Sequence, residues 1–280
     1  MADFTAGLDS LVQDFESHGI PVGTPGFYDH EAFVRKEKQN PQYLNNYARF
    51  VSLRAYDSDY LDRARTEIPV VAKALHGELV EDGRQGACVD TSGVLSKALE
   101  REGIWNFVVK GSLTLDFPSR SGIGKRFFWT VDEGEFVAAH TWVFAPPFAV
   151  VDVTIRQQGH SEDEYAHLPD IVLAESPAPA TAEIDDVIAP DIRAFLALQG
   201  VPRSQFFRAI NPTMVRFFEV FPACRVTAGE MALKYVPTAV GAPDCPLEKM
   251  IGLSQESRNG IEIYEQVIVP ALKQIRGRMG

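Results

Sequence analysis

The sequence predicts an α+β protein in which a helix carrying Cys88 packs on an antiparallel sheet, with helical additions at both ends. Three observations point to this class. Apolar residues recur three and four positions apart before residue 80, the period drops to two after Gly103, and helical spacing returns after residue 191. A helix followed by several consecutive strands is typical of an α+β core.

The composition is that of a globular protein built around one large core. The chain has 280 residues and a formal charge of −11, and no basic run offsets its repulsion from a phosphate backbone. We therefore expect no nucleic-acid partner. The longest apolar run, Trp142 to Val151, is too short to cross a bilayer, so no membrane partner is expected either. The N-terminus lacks the pattern of a secretory signal, and three cysteines do not make a disulfide framework. These features favour the cytoplasm; they give no oligomeric state.

Residues 1–80 form the predicted N-terminal helical region. The apolar positions from Phe4 to Phe15 are spaced as one face of a helix, which Gly19 ends. Helical spacing continues from Tyr43 to Leu79. A break is expected at Pro69, because proline removes a helical hydrogen bond.

Residues 81–168 form the predicted catalytic core. The stretch from Val89 to Glu102 has helical spacing, and Gly103 closes it, as a glycine after the last turn often does. The segments that follow are rich in Val, Phe, Trp and Thr, which favour strands. The predicted strands are Ile104 to Leu115, Arg126 to Val131, Glu135 to Phe144 and Phe148 to Arg156.

The remaining residues are assigned to a linker and a second helical region. Residues 169–191 are rich in proline, alanine and acidic side chains, which is typical of a linker or surface loop. Residues 192–280 are predicted to be a C-terminal helical region packed on the core. Helical spacing returns there from Ile192 to Phe221 and from Glu256 to Arg278.

Cys88 is the candidate nucleophile. It lies at the predicted start of its helix, where the helix dipole and free backbone N–H groups favour the thiolate, the reactive form of a cysteine. Asp90 places a negative charge nearby, which opposes a lowered thiol pKa. A buried cysteine that packs beneath the turn is an equally good interpretation of the position alone. Cys224 and Cys245 are expected to be core or loop thiols.

His140 and Asp152 supply the two groups that a thiol nucleophile needs. If Phe144 pairs with Phe148 across the proline-containing turn, His140 lies directly opposite Asp152, with Cβ atoms about 4.5–5.5 Å apart. The histidine would then take the thiol proton, and the carboxylate would fix its tautomer and orientation. A structural His–Asp hydrogen bond, or an outward-facing aspartate, is the alternative, because a one-residue slip in register would separate the pair.

Gln85 is an oxyanion-hole candidate. An amide just before the nucleophile is able to donate to a developing oxyanion, together with the backbone N–H near Cys88. A solvated loop glutamine is the simpler interpretation of this residue. His160 and His167 flank three acidic residues, but their spacing fits no zinc signature. We expect neither a metal nor a cofactor.

Three short segments carry a family resemblance that spans about residues 80–156. They are Gly86-Ala87-Cys88-Val89-Asp90-Thr91-Ser92-Gly93-Val94-Leu95, His140-Thr141-Trp142-Val143 and Val150-Val151-Asp152-Val153-Thr154. Their order resembles the transglutaminase-like superfamily of papain-type thiol enzymes. The resemblance implies a papain-like core in which Cys88 is the nucleophile, His140 the general base and acid, and Asp152 the orienting carboxylate.

We therefore expect a cysteine-dependent amide or ester hydrolase that acts on a peptide, protein or small amide through a thioacyl intermediate. Acyl transfer to an amine, of the transglutaminase or arylamine N-acetyltransferase type, is the alternative within the same mechanism. A second class is a binding protein that kept the fold without turnover. A third is a helical scaffold, in which replacing Cys88 changes stability only.

Overall fold

The computed structural model describes residues 7–132, 135–136, 139–250 and 258–279. It combines α-helices with an antiparallel sheet that curls into a half-barrel, which confirms the α+β class. Phe4, at the start of the first predicted helix, and Glu256, at the start of the last one, lie outside the described residues.

The described residues contain twelve α-helices, and none of them has the length and apolarity needed to cross a bilayer. The first four precede the helix of Cys88. In chain order the helices are α1 Leu8–Ser17, α2 Glu31–Gln39, α3 Leu44–Leu53, α4 Ser58–Asp82, α5 Cys88–Arg101, α6 Glu162–Tyr165, α7 Ile184–Val187, α8 Pro190–Leu198, α9 Phe206–Ile210, α10 Met214–Val220, α11 Gly260–Ile263 and α12 Val269–Met279.

The helix α4 runs through Pro69 without a break, so the predicted division at this proline is wrong. The boundary falls before Ser58 instead, where the Asp57 carboxylate accepts a hydrogen bond of 2.7 Å from the N–H of Tyr60 and caps the helix. Buried side chains such as Ile68 pack α4 against α5 and α12. This packing outweighs the loss of one helical hydrogen bond.

Ten strands are described: β1 Phe107–Asp116, β2 Arg126–Phe128, β3 Val131–Asp132, β4 Glu135–Phe136, β5 His140–Ala145, β6 Phe148–Asp152, β7 Val172–Ala174, β8 Ala178–Pro179, β9 Cys224–Ala228 and β10 Met231–Gly241. Eight of them form one sheet in the order β7-β6-β5-β1-β10-β9-β8, with β2 also paired to β1. β3 and β4 pair separately. All pairings between these strands are antiparallel.

The helical description of residues 192–280 is wrong for residues 224–241, which form the hairpin of β9 and β10. β10 lies beside β1 in the middle of the sheet. The hairpin turns at Gly229, which has a positive φ of 60°. Residues 169–191 are likewise not only a linker, because β7, β8 and α7 lie within them.

The sheet separates two apolar cores. On one face, Val108 and Val143 pack against α4 and α5. On the other face, Trp142 belongs to an aromatic cluster that includes Phe15 and Phe27 from the N-terminal segment. Alternate residues of β5 therefore face different cores, and α5 lies across β5 on the side of Val143.

Candidate active site

Cys88 is the first residue of α5, and only 5% of it is exposed. The turn before it contains Gly86, which has a positive φ of 70° and donates its N–H to the Gln157 carbonyl at 2.7 Å. Ala87 provides no side-chain cap. The N–H groups of a first helical turn have no partner within the helix, so they are available to stabilise negative charge beside the thiol.

A side-chain contact joins the helix of Cys88 to the strand of His140. The hydroxyl groups of Ser92 and Thr141 lie 3.2 Å apart in a hydrogen bond, and both residues are buried. The two elements also pack together through apolar side chains: Val94 of α5 and Val143 of β5 belong to the same buried cluster. The local sequence thus fixes the start of α5 relative to the start of β5.

His140 and Asp152 meet as the sequence predicts, with Nε2 of the imidazole 2.6 Å from Oδ2 of the carboxylate. Both side chains are buried. The register predicted from Phe144 opposite Phe148 is nevertheless wrong. Val143 lies opposite Val151, two residues out of the predicted register, and an irregularity follows. Because side chains alternate with a period of two, this shift keeps the histidine and the aspartate on one face, as diagonal neighbours.

Asp152 is held as a buried carboxylate by several donors. Its Oδ1 atom accepts hydrogen bonds from the N–H of Thr154 at 3.0 Å and from the Thr154 hydroxyl at 3.3 Å. Its Oδ2 atom accepts a further bond from the Tyr235 hydroxyl at 3.0 Å. Burial alone would raise the pKa of Asp152, but the charge of His140 and these donors together lower it. The carboxylate is therefore ionised at neutral pH.

The thiol of Cys88 and the imidazole of His140 are coupled. Burial alone would raise the pKa of Cys88, but the adjoining imidazole of His140 and, to a smaller extent, the hydroxyl of Thr141 lower it. Burial alone would lower the pKa of His140, yet Asp152 and Cys88 raise it to about 10. Relative to isolated side chains, these shifts favour transfer of the thiol proton to the imidazole, which gives a thiolate beside an imidazolium.

The two nitrogens of His140 have different surroundings. Nε2 is bonded to Asp152, whereas Nδ1 is buried and has no hydrogen-bond partner among the described residues. Nδ1 is therefore the atom available for proton exchange with Cys88. A thiolate, a positioned acid and base, and an orienting carboxylate make nucleophilic attack on a carbonyl chemically accessible.

Sequence reasoning missed two residues that surround the pair, Tyr235 and Trp142. Tyr235 comes from β10 and donates to Asp152. The Trp142 ring stacks on His140, with centroids 6.3 Å apart, and meets the Tyr235 ring edge-on at 5.0 Å. Alternation with His140 along one strand was the available signal for Trp142. The strand-forming run after Gly229 was the signal for Tyr235.

Gly111 allows these side chains to come together. It lies opposite His140 in the pairing of β1 with β5. A Cβ atom at this position would lie 2.2 Å from the Val236 carbonyl oxygen and 2.8 Å from the Trp142 ring. Only glycine leaves room for this close approach of backbone and ring.

Gln85 and Asp90 lie in different settings from the buried pair. Gln85 is exposed, and its amide donates to the Tyr165 hydroxyl at 3.2 Å, so its oxyanion role stays a prediction. Asp90 forms a salt bridge of 2.5 Å with Arg84. Its charge is offset by the arginine, and the pKa of Cys88 is lowered although this carboxylate lies nearby in the sequence.

The histidines flanking the acidic residues 162–164 form no metal centre in the part of the chain that is described. No group of three or more His, Cys, Asp or Glu side chains is placed there to hold a metal ion. The Nε2 atom of His160 instead bonds the carbonyl of Ile155 at 2.7 Å. His160 thus contributes to the fold of its loop.

The fold and the site together define a class: an α+β protein with a buried cysteine at a helix start, coupled to a histidine and an ionised aspartate from two neighbouring strands. Comparisons with models of protein families, with curated proteins and with solved structures find no match.

Proposed function

We propose that the protein is a cysteine-dependent hydrolase of amides or esters with a papain-like, transglutaminase-like core. The observation that carries the proposal is the buried pair of His140 and Asp152, 2.6 Å apart, together with the buried thiol of Cys88, whose pKa the imidazole lowers. The resemblance of the three sequence segments supports it. All three cysteines are free, and a thiolate enzyme needs reducing surroundings, so we also propose a cytoplasmic location.

The first half of the reaction forms a thioester. The Cys88 sulfur attacks the carbonyl carbon, a C–S bond forms, and the carbonyl π electrons move to the oxygen. Backbone N–H groups at the start of α5 stabilise this oxyanion, with Gln85 as a further candidate donor. When the tetrahedral intermediate collapses, the leaving amine or alcohol takes the Nδ1 proton of His140, and the bond between carbon and leaving group breaks.

The second half of the reaction returns the free enzyme. Neutral His140 removes a proton from water at Nδ1, and the resulting hydroxide attacks the thioester carbon. The C–S bond breaks, the acid leaves, and the thiolate is restored beside the imidazolium. Asp152 holds the Nε2 proton throughout and stabilises the charge on the ring. No co-reactant other than water is needed.

A pre-steady-state experiment with p-nitrophenyl acetate tests the proposal. We expect a burst of nitrophenol equal to the enzyme concentration, and an acetyl group on the Cys88 peptide by mass spectrometry when the reaction is quenched in acid. Cys224→Ser is the matched control and should keep the burst. Acetylation of Cys224 or Cys245 in place of Cys88 would overturn the assignment.

Adding an amine to the same reaction separates hydrolysis from acyl transfer. We expect glycine methyl ester or an arylamine to leave the rate of acetate release unchanged, because water is the second nucleophile in the proposed mechanism. If the amine accelerated turnover and appeared as an acetylated product, the protein would be an acyltransferase with the same nucleophile.

A further inference from the structure

A cavity of about 420 Å³ lies between the sheet and α10, outside the Cys–His–Asp constellation. Side chains of β1 and β5 line one side of it, among them Val109 and Trp142. Phe217 and Phe221 line the side of α10. Small-molecule sites in proteins measure about 300–1,000 Å³, so this cavity has the size of a ligand site.

The lining of the cavity is apolar and carries no charge. Its polar side-chain groups are the Ser52 hydroxyl, the Cys224 thiol and the indole N–H of Trp142. The Ser52 hydroxyl already donates to the Ala48 carbonyl at 2.9 Å. Burial raises the pKa of Cys224 to about 11, so this thiol is neutral at physiological pH. The cavity therefore offers no partner for a charged ligand, and desolvating a charge there would be costly.

Aromatic rings make up much of the wall. Phe107 and Phe144 are stacked with centroids 4.8 Å apart, and Phe221 meets Phe107 at an angle at 6.0 Å. Rings of this kind bind flat apolar groups through their faces and edges. A dry cavity of about 150 Å³ holds one benzene molecule, so a cavity almost three times larger has room for a two-ring molecule.

We infer that this cavity is a binding site for a small, uncharged, two-ring aromatic molecule. Trp142 forms part of its wall and also stacks on His140, so a bound molecule lies one side chain away from the imidazole. The inference stands apart from the proposed hydrolysis, because binding in the cavity requires no chemistry at Cys88.

Protection of Cys224 from alkylation tests the inference, with 2-methoxynaphthalene as the probe. Iodoacetamide labelling is followed peptide by peptide at pH 9, where Cys224 begins to react. At probe concentrations well above the Kd, we expect Cys224 labelling to slow by at least about fivefold and then to level off. A site that is only half occupied would slow labelling about twofold. Cys245 lines a different cavity and should react at an unchanged rate, which makes it an internal control.

Two control experiments, one with a charged probe and one with a cavity-filling variant, distinguish a specific site from general adsorption of the probe. Naphthalene-2-sulfonate has the same rings with a charge and should not protect Cys224. Ala149→Phe places a ring in the cavity wall and should abolish protection, each variant being compared with its own labelling rate without probe. Equal slowing of both thiols, protection by the sulfonate, or no saturable protection of the wild-type protein would overturn the inference.

Discussion

Cys88 and Cys224 are two thiols of one chain that burial affects in the same direction, yet their pKa values move in opposite directions. Burial raises the pKa of Cys224 to about 11, and no other group counteracts it. Burial acts on Cys88 as well, but His140 reverses the shift. Enclosure alone therefore makes a thiol inert, and a charged partner makes it reactive.

The largest expected effect is the loss of the reactive thiol itself. Cys88→Ala should reduce ester hydrolysis by on the order of 10⁴-fold or more, because a nucleophile that forms a covalent intermediate has no substitute. Cys224→Ala should change the rate of ester hydrolysis less than about twofold, because this thiol is protonated and lines the apolar cavity beside α10. Steady-state rates with p-nitrophenyl acetate measure both. Similar losses of hydrolysis rate in the two variants would show that Cys88 is not the particular thiol that acts as nucleophile.

The second prediction removes the partner and keeps the thiol. In His140→Gln the amide is still able to donate to Asp152, but no ring remains to hold a proton near Cys88. The pKa of Cys88 should then rise, as burial dictates, and its alkylation at pH 7 should slow by about tenfold for each pK unit of that rise. Iodoacetamide labelling with peptide mass analysis gives the rate. Thermal unfolding of the variant serves as the folding control, and an unchanged Cys88 rate would mean that His140 does not activate the thiol.

The third prediction uses pH, without any mutation, to change the relative alkylation rates of Cys88 and Cys224. A thiol loses its proton as pH rises through its pKa, so Cys88 ionises below the usual thiol range and Cys224 only near pH 11. From the pH at which Cys88 is fully ionised up to 11, the ratio of Cys88 to Cys224 alkylation should fall by about tenfold per pH unit. Hydrolysis should also decline above about pH 10, where His140 loses the proton needed by the leaving group. A ratio of Cys88 to Cys224 labelling rates that stays constant with pH would contradict the opposite pKa shifts of the two thiols.

The sequence predicts the α+β class and the contact between His140 and Asp152, because the elements involved are local and periodic. The catalytic roles of Cys88, His140 and Asp152 stay a prediction. The sequence does not predict the central position of β10. That strand pairs with β1 more than a hundred residues earlier in the chain, and local periodicity does not encode such distant pairing. Pro237 also argues against a central strand. The structure accommodates it at a register irregularity opposite Gly111.

The same distant pairing brings in Tyr235, whose removal should have a smaller effect. Tyr235→Phe keeps the ring against Trp142 and removes one donor to Asp152. Losing a hydrogen bond to a buried charge costs about 1.5–3 kcal/mol, so we expect a lower free energy of unfolding by this amount. Activity should fall about tenfold while the nucleophile stays the same. Urea denaturation and steady-state kinetics measure the two effects, and a variant unchanged in both would show that the Thr154 donors suffice.

The smallest effect is expected at Gln85, where the outcome decides how the oxyanion is stabilised. Its amide is exposed and donates to Tyr165, whereas the N–H groups at the start of α5 are fixed beside the thiol. We therefore expect Gln85→Ala to lower kcat less than about tenfold, with Tyr165→Phe as the matched control for the loss of their mutual bond. Loss of an oxyanion donor costs about 10²–10³ in kcat. A loss of that size in Gln85→Ala, absent from Tyr165→Phe, would mean that the amide leaves Tyr165 during the reaction and that stabilisation of the oxyanion extends beyond the N–H groups of α5.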